Sequence, residues 1–429
     1  MAEGLVISAP RSGSGKTVIT LGLLAAMRRR GLVVAPAKSG PDYIDPHFSG
    51  RAAGRDAINL DPWAMPQDQL RALASQQATG ADLLVVEGAM GLFDAAADGT
   101  GSTGDLAERL GLPVILVVDA DRHSQSVAPL VAGFAHWRPK VPVAGVILNR
   151  VASARHERML VAALRDTGVP YLGAVPRRPE LVIPERHLGL VLPGETADFA
   201  GFLDHAANAV GDYVNLDALL ALAAPLAADD VPPSALPPLG QRIAIARDKA
   251  FAFIYPHLLD GWRARGADLS FFSPLANEAP AADADAIFLP GGYPELHGAA
   301  LSAADTFRRG LVAARDRGTL IYGECGGFMV LGEGLVDKQG SAHAMSGLLP
   351  VTTRIDRPKR VLGYRRLVHQ SPLLWPTSLN GHEFHYSSAR GTGLPPLFEA
   401  VDAENIPQPP MGAVLGRVMG SYAHVISAP

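Results

Sequence analysis

The sequence contains a single cysteine, Cys325, among 429 residues, and an internal disulfide is therefore excluded. This cysteine usage favours a reducing compartment, so that we expect a cytoplasmic protein. The first residues lack the charged and apolar segments of a secretory signal peptide. No apolar run reaches the roughly 18 residues that a membrane-spanning helix needs. The sequence therefore predicts no membrane partner.

The sequence also has little excess charge. Its 38 Lys and Arg residues against 42 Asp and Glu residues give a formal net charge of −4, which disfavours nucleic acid as a partner. The densest basic run, residues 28–30, ends a predicted helix, where the helix dipole favours positive charge. With 48% hydrophobic residues the composition is globular, and the length predicts about two or three domains.

The first half of the chain alternates short apolar runs with helical patterns. The runs are nearly continuous in Val, Ile and Leu, as in parallel strands that are covered on both faces. They span residues 4–9, 32–37, 82–89, 113–120 and 142–151. This rhythm predicts an α/β domain with a parallel sheet over residues 1–220.

A stretch rich in Ala and Pro, residues 221–240, predicts a linker between two domains. The α/β rhythm then returns, with a helix predicted over residues 306–318. The predicted strands of this part span residues 241–248, 268–274, 285–292 and 318–325. The sequence thus predicts a second, different α/β domain over residues 241–429.

Residues 12–17, SGSGKT, predict a phosphate-binding loop, although Pro10 stands where the common pattern has a glycine. A predicted strand precedes the loop and a predicted helix follows it, so backbone N–H groups and the helix dipole point at bound phosphates. Arg11 is either a further phosphate contact or an exposed loop residue. The predicted ATP-binding residues are Gly13, Ser14, Gly15, Lys16 and Thr17, with the Thr17 hydroxyl on Mg²⁺.

Two predicted strand ends beside this loop supply charged side chains. Lys38, Asp42 and Asp45 follow the second strand, and Glu87 ends the third strand with Asp94 after it. Because open parallel sheets bind ligands at the carboxyl ends of their strands, we expect these residues near the phosphates. Carboxylates are suitable ligands for Mg²⁺, and a lysine neutralises a transferring phosphoryl group. The alternative for the loop with Lys38, Asp42 and Asp45 is a turn rich in Asp and Pro that has no function.

A further loop, residues 98–107, is rich in glycine and carries Ser102 and Thr103. Hydroxyl and backbone N–H groups of such a loop can bind substrate carboxylates. The same composition is typical of a loop without a binding function. The residues alone leave both interpretations open.

Cys325 stands at a predicted strand-to-helix turn between glycines, where a nucleophile is exposed above the sheet. A thiol nucleophile requires a base and an oxyanion hole. The backbone N–H groups of Gly292 and Gly326 are the predicted oxyanion hole. The candidates for the base are His382, His385 and His424.

A series of motifs along both predicted domains resembles the cobyrinic acid a,c-diamide synthase family of corrinoid biosynthesis. In that family a dethiobiotin-synthetase-like P-loop domain precedes a class I glutamine amidotransferase domain, which is the fold the resemblance implies here. The motifs are SGSGKT, KSGPDYIDPHF, NLDPWAM, VVEGAMGLFD, LPGGYPELH, YGECGGFMVLG, GHEFHYS and GSYAHV.

The resemblance implies a ligase that uses ATP, Mg²⁺ and glutamine to amidate the a and c side-chain carboxylates of a corrin ring through an acyl phosphate. It implies that Lys16 and Thr17 bind ATP and Mg²⁺, and that Asp42 and Glu87 position the metal and the acyl phosphate. Asp45 and Asp94 would lie behind these acids. Lys38 would stabilise the transferring phosphoryl group.

In the second domain, the resemblance implies that Cys325 attacks glutamine and that His424, in an SYxH motif, is the base. The glutamate that most amidotransferases carry two residues after this histidine is replaced by Ile426. Glu383 is the alternative that the sequence suggests for the orienting acid.

The KSGPDYIDPHF loop and the NLDPWAM stretch resemble most the branch of the family that amidates metal-free hydrogenobyrinic acid rather than cobyrinic acid. A nickel-sirohydrochlorin diamide synthase shares the family and remains an alternative. A partition-type ATPase switch is an alternative of another class, but it would have no use for Cys325. The sequence leaves the oligomeric state open, a homo-oligomer included.

Overall fold

A computed structural model describes residues 2–182, 185–186, 189–190, 198–227, 232–358, 360–391 and 393–429. The chain divides into two compact units, Met1–Pro233 and Ser234–Pro429. Residues 228–231 of the predicted linker lie outside the described residues. Earlier in the same stretch, Pro225 pairs with Glu3 in the sheet of the first unit.

The first unit is built on a sheet of parallel strands, as the sequence predicts. Its strands are β1 (Glu3–Ser8), β2 (Val34–Ser39), β3 (Ile58–Leu60), β4 (Leu83–Glu87), β5 (Val114–Asp119), β6 (Val143–Val151) and β7 (Tyr171–Pro176). They lie in the order β3-β2-β4-β1-β5-β6-β7. β8 (Glu185–Arg186) and β9 (Gly189–Leu190) pair with each other, and β10 (Ala224–Pro225) adds antiparallel to β1.

Burial explains why these sequences form central strands. All residues of β2, β4 and β5 are buried, and in β1 only the first residue is exposed. Apolar side chains on both faces are therefore removed from water, which is the main stabilising contribution to such a sheet. Because β1 lies between β4 and β5, and β2 lies beside β4, the loops that follow β1, β2 and β4 meet at one edge of the sheet.

Helices cover this sheet, and the first of them carries the end of the phosphate loop. Gly22 in this helix allows close packing, because a Cβ atom there would lie 2.7 Å from the carbonyl oxygen of Ala206 in the seventh helix. The helices are α1 (Lys16–Arg29), α2 (Ile44–Ala53), α3 (Gln67–Ala78), α4 (Thr103–Leu110), α5 (Val127–Trp137), α6 (Ala154–Leu164), α7 (Phe199–Tyr213) and α8 (Leu216–Leu220).

The second unit contains another largely parallel sheet. Its parallel strands are β11 (Arg242–Ala246), β12 (Asp268–Phe272), β13 (Ala286–Leu289), β14 (Leu320–Glu324) and β24 (Val418–Ser421), and β23 (Ala413–Leu415) is antiparallel to β24. The order is β12-β11-β13-β14-β24-β23. The helices of this unit are α9 (Pro256–Ala264), α10 (Gly298–Ala303), α11 (Asp305–Asp316) and α12 (Gly326–Leu331). No helix in the described ranges of either unit is both long and apolar enough to cross a membrane.

Two smaller sheets complete the second unit. One has the strands β18 (Val361–Val368), β19 (Ser378–His385), β21 (Phe398–Val401), β22 (Pro407–Met411) and β25 (Ala423–Ser427), in the order β22-β21-β18-β19-β25. The other has β15 (Gly334–Val336), β16 (Ala342–Ala344), β17 (Thr352–Arg354) and β20 (Ser388–Arg390), in the order β16-β15-β17-β20. β25 follows β24 almost directly, so it brings the end of the chain from the parallel sheet to β19.

Candidate active sites

The phosphate loop connects β1 to α1 and is fixed from the end of β6. Gly13 and Gly15 have φ angles of 78° and 87°, a region that favours glycine. The Asn149 side chain donates a hydrogen bond to the carbonyl of Ser14 at 3.0 Å, and Arg150 donates one to the carbonyl of Gly13 at 2.9 Å. No sequence motif identifies these two residues, although both lie at the end of a predicted strand.

Three side chains from neighbouring elements meet beside this loop. The Thr17 hydroxyl donates to Glu87 Oε1 at 2.6 Å, and Lys38 Nζ donates to the same oxygen at 3.1 Å. Lys38 also donates to Asp45 Oδ2 and, at 3.3 Å, to the carbonyl of Gly88. The sheet imposes this meeting, since β2 and β4 pair with Lys38 directly opposite Glu87.

Burial gives this cluster its electrostatic character. Burial raises the pKa of Glu87, while the charge of Lys38 opposes that rise. Burial also opposes a charge on Lys38, but the charges of Asp45 and Glu87 outweigh it and raise the pKa of Lys38 above its usual value. Burial and the charge of Lys38 lower the pKa of Lys16. Lys38 is thus a permanently charged group next to the loop lysine.

One oxygen of Glu87 stands apart from these contacts. The Glu87 side chain is fully buried, and its Oε2 atom has no hydrogen-bond partner within the described part of the chain. A buried carboxylate oxygen without a partner is costly unless a cation or a donor satisfies it. Glu87 therefore offers the site one buried acceptor oxygen that no described residue satisfies.

Asp42 and Asp94 have backbone partners. The Asp42 carboxylate accepts from the N–H groups of Ile44 and Asp45 at 3.0 and 3.3 Å, at the beginning of α2. Burial and the neighbouring charge of Asp45 raise the pKa of Asp42 to about 7. Asp94 is exposed and accepts from the N–H of Gly91 at 2.7 Å. The structure therefore brings Asp45, rather than Asp42, into contact with Lys38.

Ser102 and Thr103 form hydrogen bonds within the fold. Ser102 caps α4, because its hydroxyl accepts from the Asp105 N–H at 3.0 Å and its own N–H donates to the Asp105 carboxylate at 2.8 Å. The Thr103 hydroxyl accepts from the N–H of Ala89 at 3.0 Å. These contacts join α4 to the loop that follows Glu87, so both residues support the arrangement of that loop.

In the second unit, Cys325 occupies a sharp turn between β14 and α12. Its φ angle is 47°, which is unusual for a residue other than glycine. The turn is held by a hydrogen bond from its N–H to the carbonyl of Ser421 at 2.8 Å. This is the strand–turn–helix geometry in which a nucleophile is presented above a sheet. Strained backbone of this kind is concentrated at functional sites.

His424 lies next to this cysteine. A Cβ atom at Gly291 would lie 2.4 Å from His424 Cε1 and 3.4 Å from Cys325 Cβ, so only a glycine fits between them. Burial lowers the pKa of His424, but the charge of Cys325, a hydrogen bond to Cys325 and the carboxylate of Glu324 together raise it to about 10. The imidazole can therefore hold a proton beside the sulfur.

The two predicted oxyanion-hole residues are close together. A Cβ atom at Gly326 would lie 3.1 Å from the backbone nitrogen of Gly292. A Cβ atom at Gly292 would lie 2.0 Å from the carbonyl oxygen of Ala250, which excludes a side chain there. Two backbone N–H groups beside a nucleophile are the arrangement that a tetrahedral oxyanion requires.

Of the other predicted residues on β19, Glu383 and His385 contact each other, whereas His382 lies beside His424 with 6.2 Å between their ring centroids. Glu383 accepts from Arg365 Nη2 at 2.8 Å and contacts His385 Nε2 at 2.9 Å. Burial and the charges of His424 and Arg365 lower the pKa of His382 to about 3. A residue that the sequence did not predict for this site is Glu324, a buried acid whose Oε2 lies 3.8 Å from His424 Nδ1. The only indication of Glu324 in the sequence is its position directly before the predicted nucleophile, Cys325.

The two units match the models of two domain families. Residues 5–191 match the CobQ/CobB/MinD/ParA nucleotide binding domain. Residues 242–429 match the CobB/CobQ-like glutamine amidotransferase domain. The chain is therefore a glutamine amidotransferase with an attached nucleotide-binding domain, and the predicted fold class is confirmed.

Relatives that match over the whole chain define the family more closely. The hydrogenobyrinate a,c-diamide synthase of Brucella abortus biovar 1 (strain 9-941) is 54% identical over 99% of this chain and 98% of that protein. Proteins of the same name from Rhizobium meliloti (strain 1021) and Rhodobacter capsulatus are 51% and 49% identical, each over 99% of both chains. The chain belongs to the hydrogenobyrinate a,c-diamide synthase family, as its motifs predict.

Proposed function

We propose that the protein is an ATP-dependent ligase that amidates the a and c side-chain carboxylates of hydrogenobyrinic acid with nitrogen from glutamine. The observation that carries this proposal is that one chain combines two sites: a phosphate loop with Thr17 bonded to Glu87, and the Cys325–His424 pair. Neither a nucleotide switch nor a simple glutaminase needs both. The full-length similarity to enzymes named for this substrate supports the choice of substrate.

The residues of the first site fit Mg²⁺ and a nucleoside triphosphate. Mg²⁺ prefers hard oxygen ligands and is commonly held by one or two protein oxygens together with phosphates. We assign the metal to the Thr17 hydroxyl and to Glu87, whose buried Oε2 has no hydrogen-bond partner among the described residues. When bound, Mg²⁺ neutralises charge on the phosphates.

Lys16 and Lys38 stabilise the phosphoryl group during its transfer to the substrate carboxylate. Lys38 is positioned for this role because Asp45 and Glu87 fix its ammonium group and keep it charged. Asp42 holds the first turn of α2 and thereby positions Asp45. Phosphoryl transfer depends on positioning and charge stabilisation more than on covalent catalysis. The products of this step are ADP and an acyl phosphate. Ammonia then attacks the acyl carbon and displaces inorganic phosphate, which leaves the amide.

Cys325 and His424 release the ammonia. His424 takes the thiol proton, the sulfur attacks the amide carbon of glutamine, and the backbone N–H groups of Gly292 and Gly326 bind the developing oxyanion. The C–N bond then breaks as His424 returns the proton to the leaving nitrogen. Water hydrolyses the remaining thioester to glutamate and frees the thiol.

Product analysis tests the proposal. Hydrogenobyrinic acid, cobyrinic acid and nickel-sirohydrochlorin are supplied separately with ATP, Mg²⁺ and glutamine that carries ¹⁵N in its amide. Mass spectrometry is expected to detect two ¹⁵N-amide groups on hydrogenobyrinic acid. If only nickel-sirohydrochlorin is amidated, it is the substrate instead of hydrogenobyrinic acid. If none of the three compounds is amidated, the proposed function is wrong.

A further inference from the structure

The residue that precedes the nucleophile, Glu324, is a carboxylic acid in the interior of the second unit. It is 1% exposed. An ionised carboxylate in such a place is strongly unfavourable unless donors or a positive charge satisfy it. Its surroundings therefore indicate what the acid does.

Glu324 divides its contacts between its two oxygens. Oε1 accepts from the Tyr322 hydroxyl at 2.9 Å and from the backbone N–H of Val425 at 3.2 Å. Oε2 lies 3.8 Å from His424 Nδ1, within ion-pair distance. Donors on two strands thus fix one oxygen, and the other faces the imidazole.

The turn at Cys325 explains how two consecutive residues contact the same histidine. Side chains alternate along a strand, so Glu324 lies on the same face as Tyr322, and its successor would point to the opposite face. The φ angle of 47° at Cys325 ends this alternation. The acid of Glu324 and the thiol of Cys325 therefore both reach His424.

A second acid near this site, Glu383, is already paired. Glu383 contacts Arg365 and His385, and the ring of His385 stacks on that of Tyr422 at 3.9 Å between centroids. Ile426, two residues after the catalytic histidine, is fully buried and carries no polar atom in its side chain. The residue pattern after His424 therefore supplies no acid.

We propose that Glu324 is the positioning acid of the amidotransferase site, holding the His424 imidazole toward Cys325 and stabilising its positive charge. This inference rests on the glutamine-hydrolysing step of the proposed function. The thiol proton moves to His424 and then to the leaving nitrogen, so Glu324 keeps its charge and takes up no proton at any point. An acid in this role raises the rate of the chemical step and leaves glutamine binding unchanged.

The central test is Glu324→Gln in the full-length protein. Glutamine at this position retains an oxygen that can accept from Tyr322 and Val425, but it lacks the negative charge. We expect kcat for glutamine hydrolysis to fall about 10²–10⁴-fold, with KM for glutamine within roughly twofold of the wild-type value. Amidation driven by ammonium chloride should continue because it requires only the first unit, and an unchanged KM for glutamine reports that the second unit of the variant is folded.

Two further variants keep the inference testable. Tyr322→Phe removes one donor to Oε1 without changing any charge, and kcat should fall by about 3–10-fold at unchanged KM. Glu383→Gln removes the charge of the rival acid. A loss of kcat at constant KM in Glu383→Gln, with Glu324→Gln close to wild type, would overturn the assignment.

The activities of the wild type and of the variants distinguish a failure of the role of Glu324 from a failure of the proposed function. If the wild-type protein fails to hydrolyse glutamine or to amidate any of the three substrates, the proposed function itself is wrong. If the wild type is active and Glu324→Gln and Tyr322→Phe keep its kcat, only the role of Glu324 is wrong. If Glu324→Gln does not fold, kcat of Tyr322→Phe alone tests the role of Glu324: a fall at unchanged KM supports it, and a wild-type kcat contradicts it.

Discussion

Lys38 Nζ and Glu87 Oε1 lie 3.1 Å apart in the interior of the first unit, on directly paired residues of β2 and β4. Their side chains are 5% and 0% exposed. A buried ion pair of this kind contributes little net stability compared with an apolar pair, but removal of one partner leaves an uncompensated charge. The pair is therefore better explained by chemistry beside the phosphate loop than by folding.

Replacement of Lys38 with methionine tests this explanation. Lys38→Met keeps the side-chain length and leaves Glu87 and Asp45 without their cation. We expect the free energy of unfolding to fall by about 3–5 kcal/mol and ATP-dependent amidation to fall by about 10²–10³-fold. Urea denaturation and an amidation assay measure the two effects.

Lys140→Met is the matched control for this substitution. Lys140 is 82% exposed and lies 3.5 Å from Glu108, and surface pairs of this kind contribute about 0–1 kcal/mol. Equal losses of stability in the two variants would contradict the interpretation of Lys38.

The Thr17 hydroxyl provides a second test of the same site. Thr17→Val has nearly the same volume but cannot donate to Glu87 or bind a cation. A hydrogen bond to a charged group is worth about 1.5–3 kcal/mol, so ATP turnover should fall about 10–100-fold. Thr17→Ser retains the hydroxyl and should stay within a few-fold of wild type by kcat and by Mg²⁺ titration. Equal turnover in the valine and serine variants would exclude a role for the hydroxyl.

The sequence predicted the parallel sheets because continuous Val, Ile and Leu runs leave few alternatives, and the structure confirms this for β1, β2, β4 and β5. Local sequence also locates Cys325, since a cysteine between glycines after a strand favours a sharp turn. It could not predict that Asp45 rather than Asp42 contacts Lys38. That choice depends on the first turn of α2, where Asp42 accepts backbone N–H groups.

The acid beside His424 shows the same limit. The sequence has Ile426 where most amidotransferases have the acid after the histidine, and it suggests Glu383 instead. The contact of Glu324 with His424 depends on the pairing of β14 with β24, which places Glu324 opposite Ser421. It also depends on the backbone turn at Cys325. Neither feature can be predicted from the spacing of the two residues in the chain.

Cys325→Ala separates the two reactions of the chain. Alanine has no nucleophilic sulfur, so glutamine-driven amidation should disappear. Amidation driven by ammonium chloride should remain within a few-fold of wild type, because it requires only the first unit. The assay compares ATP-dependent product formation with glutamine and with ammonium chloride. Loss of both activities in a folded variant would argue against a division of the chemistry between the units.

Gly15 in the phosphate loop should not tolerate a side chain. Its φ angle is 87°, and a Cβ atom would lie 2.2 Å from Asn149 Nδ2. Gly15→Ala should therefore displace Asn149 and weaken nucleotide binding at least about tenfold, measured by titration calorimetry with a non-hydrolysable ATP analogue.

Gly31→Ala is the control for the conformational strain of an alanine at positive φ, without a steric clash. Gly31 has the same φ angle of 87°, but beyond its own neighbourhood in the chain no atom of the described residues lies within 4 Å of the Cβ position. This variant should lose about 1 kcal/mol of stability and keep its affinity for the nucleotide. Equal affinities in the two variants would show that the contact with Asn149 has no importance for binding.

The buried His257 predicts a loss of stability in acid. Burial lowers the pKa of His257 to about 4, although its Nε2 contacts the carbonyl of Ile426 at 2.9 Å. The unfolded chain binds a proton at this residue near pH 6.5, whereas the folded chain binds it only near pH 4. The folded state therefore loses stability as the pH falls from 6.5 through 4, by about 3 kcal/mol at most.

Urea denaturation of the wild type and of His257→Gln, which can donate to Ile426 but does not titrate, should give free energies of unfolding whose difference changes in this window. His136→Gln, at an exposed histidine, is the control for the removal of a histidine. If the free energies of unfolding of the wild type and of His257→Gln differ by a constant amount from pH 7.5 to 4, the prediction is wrong.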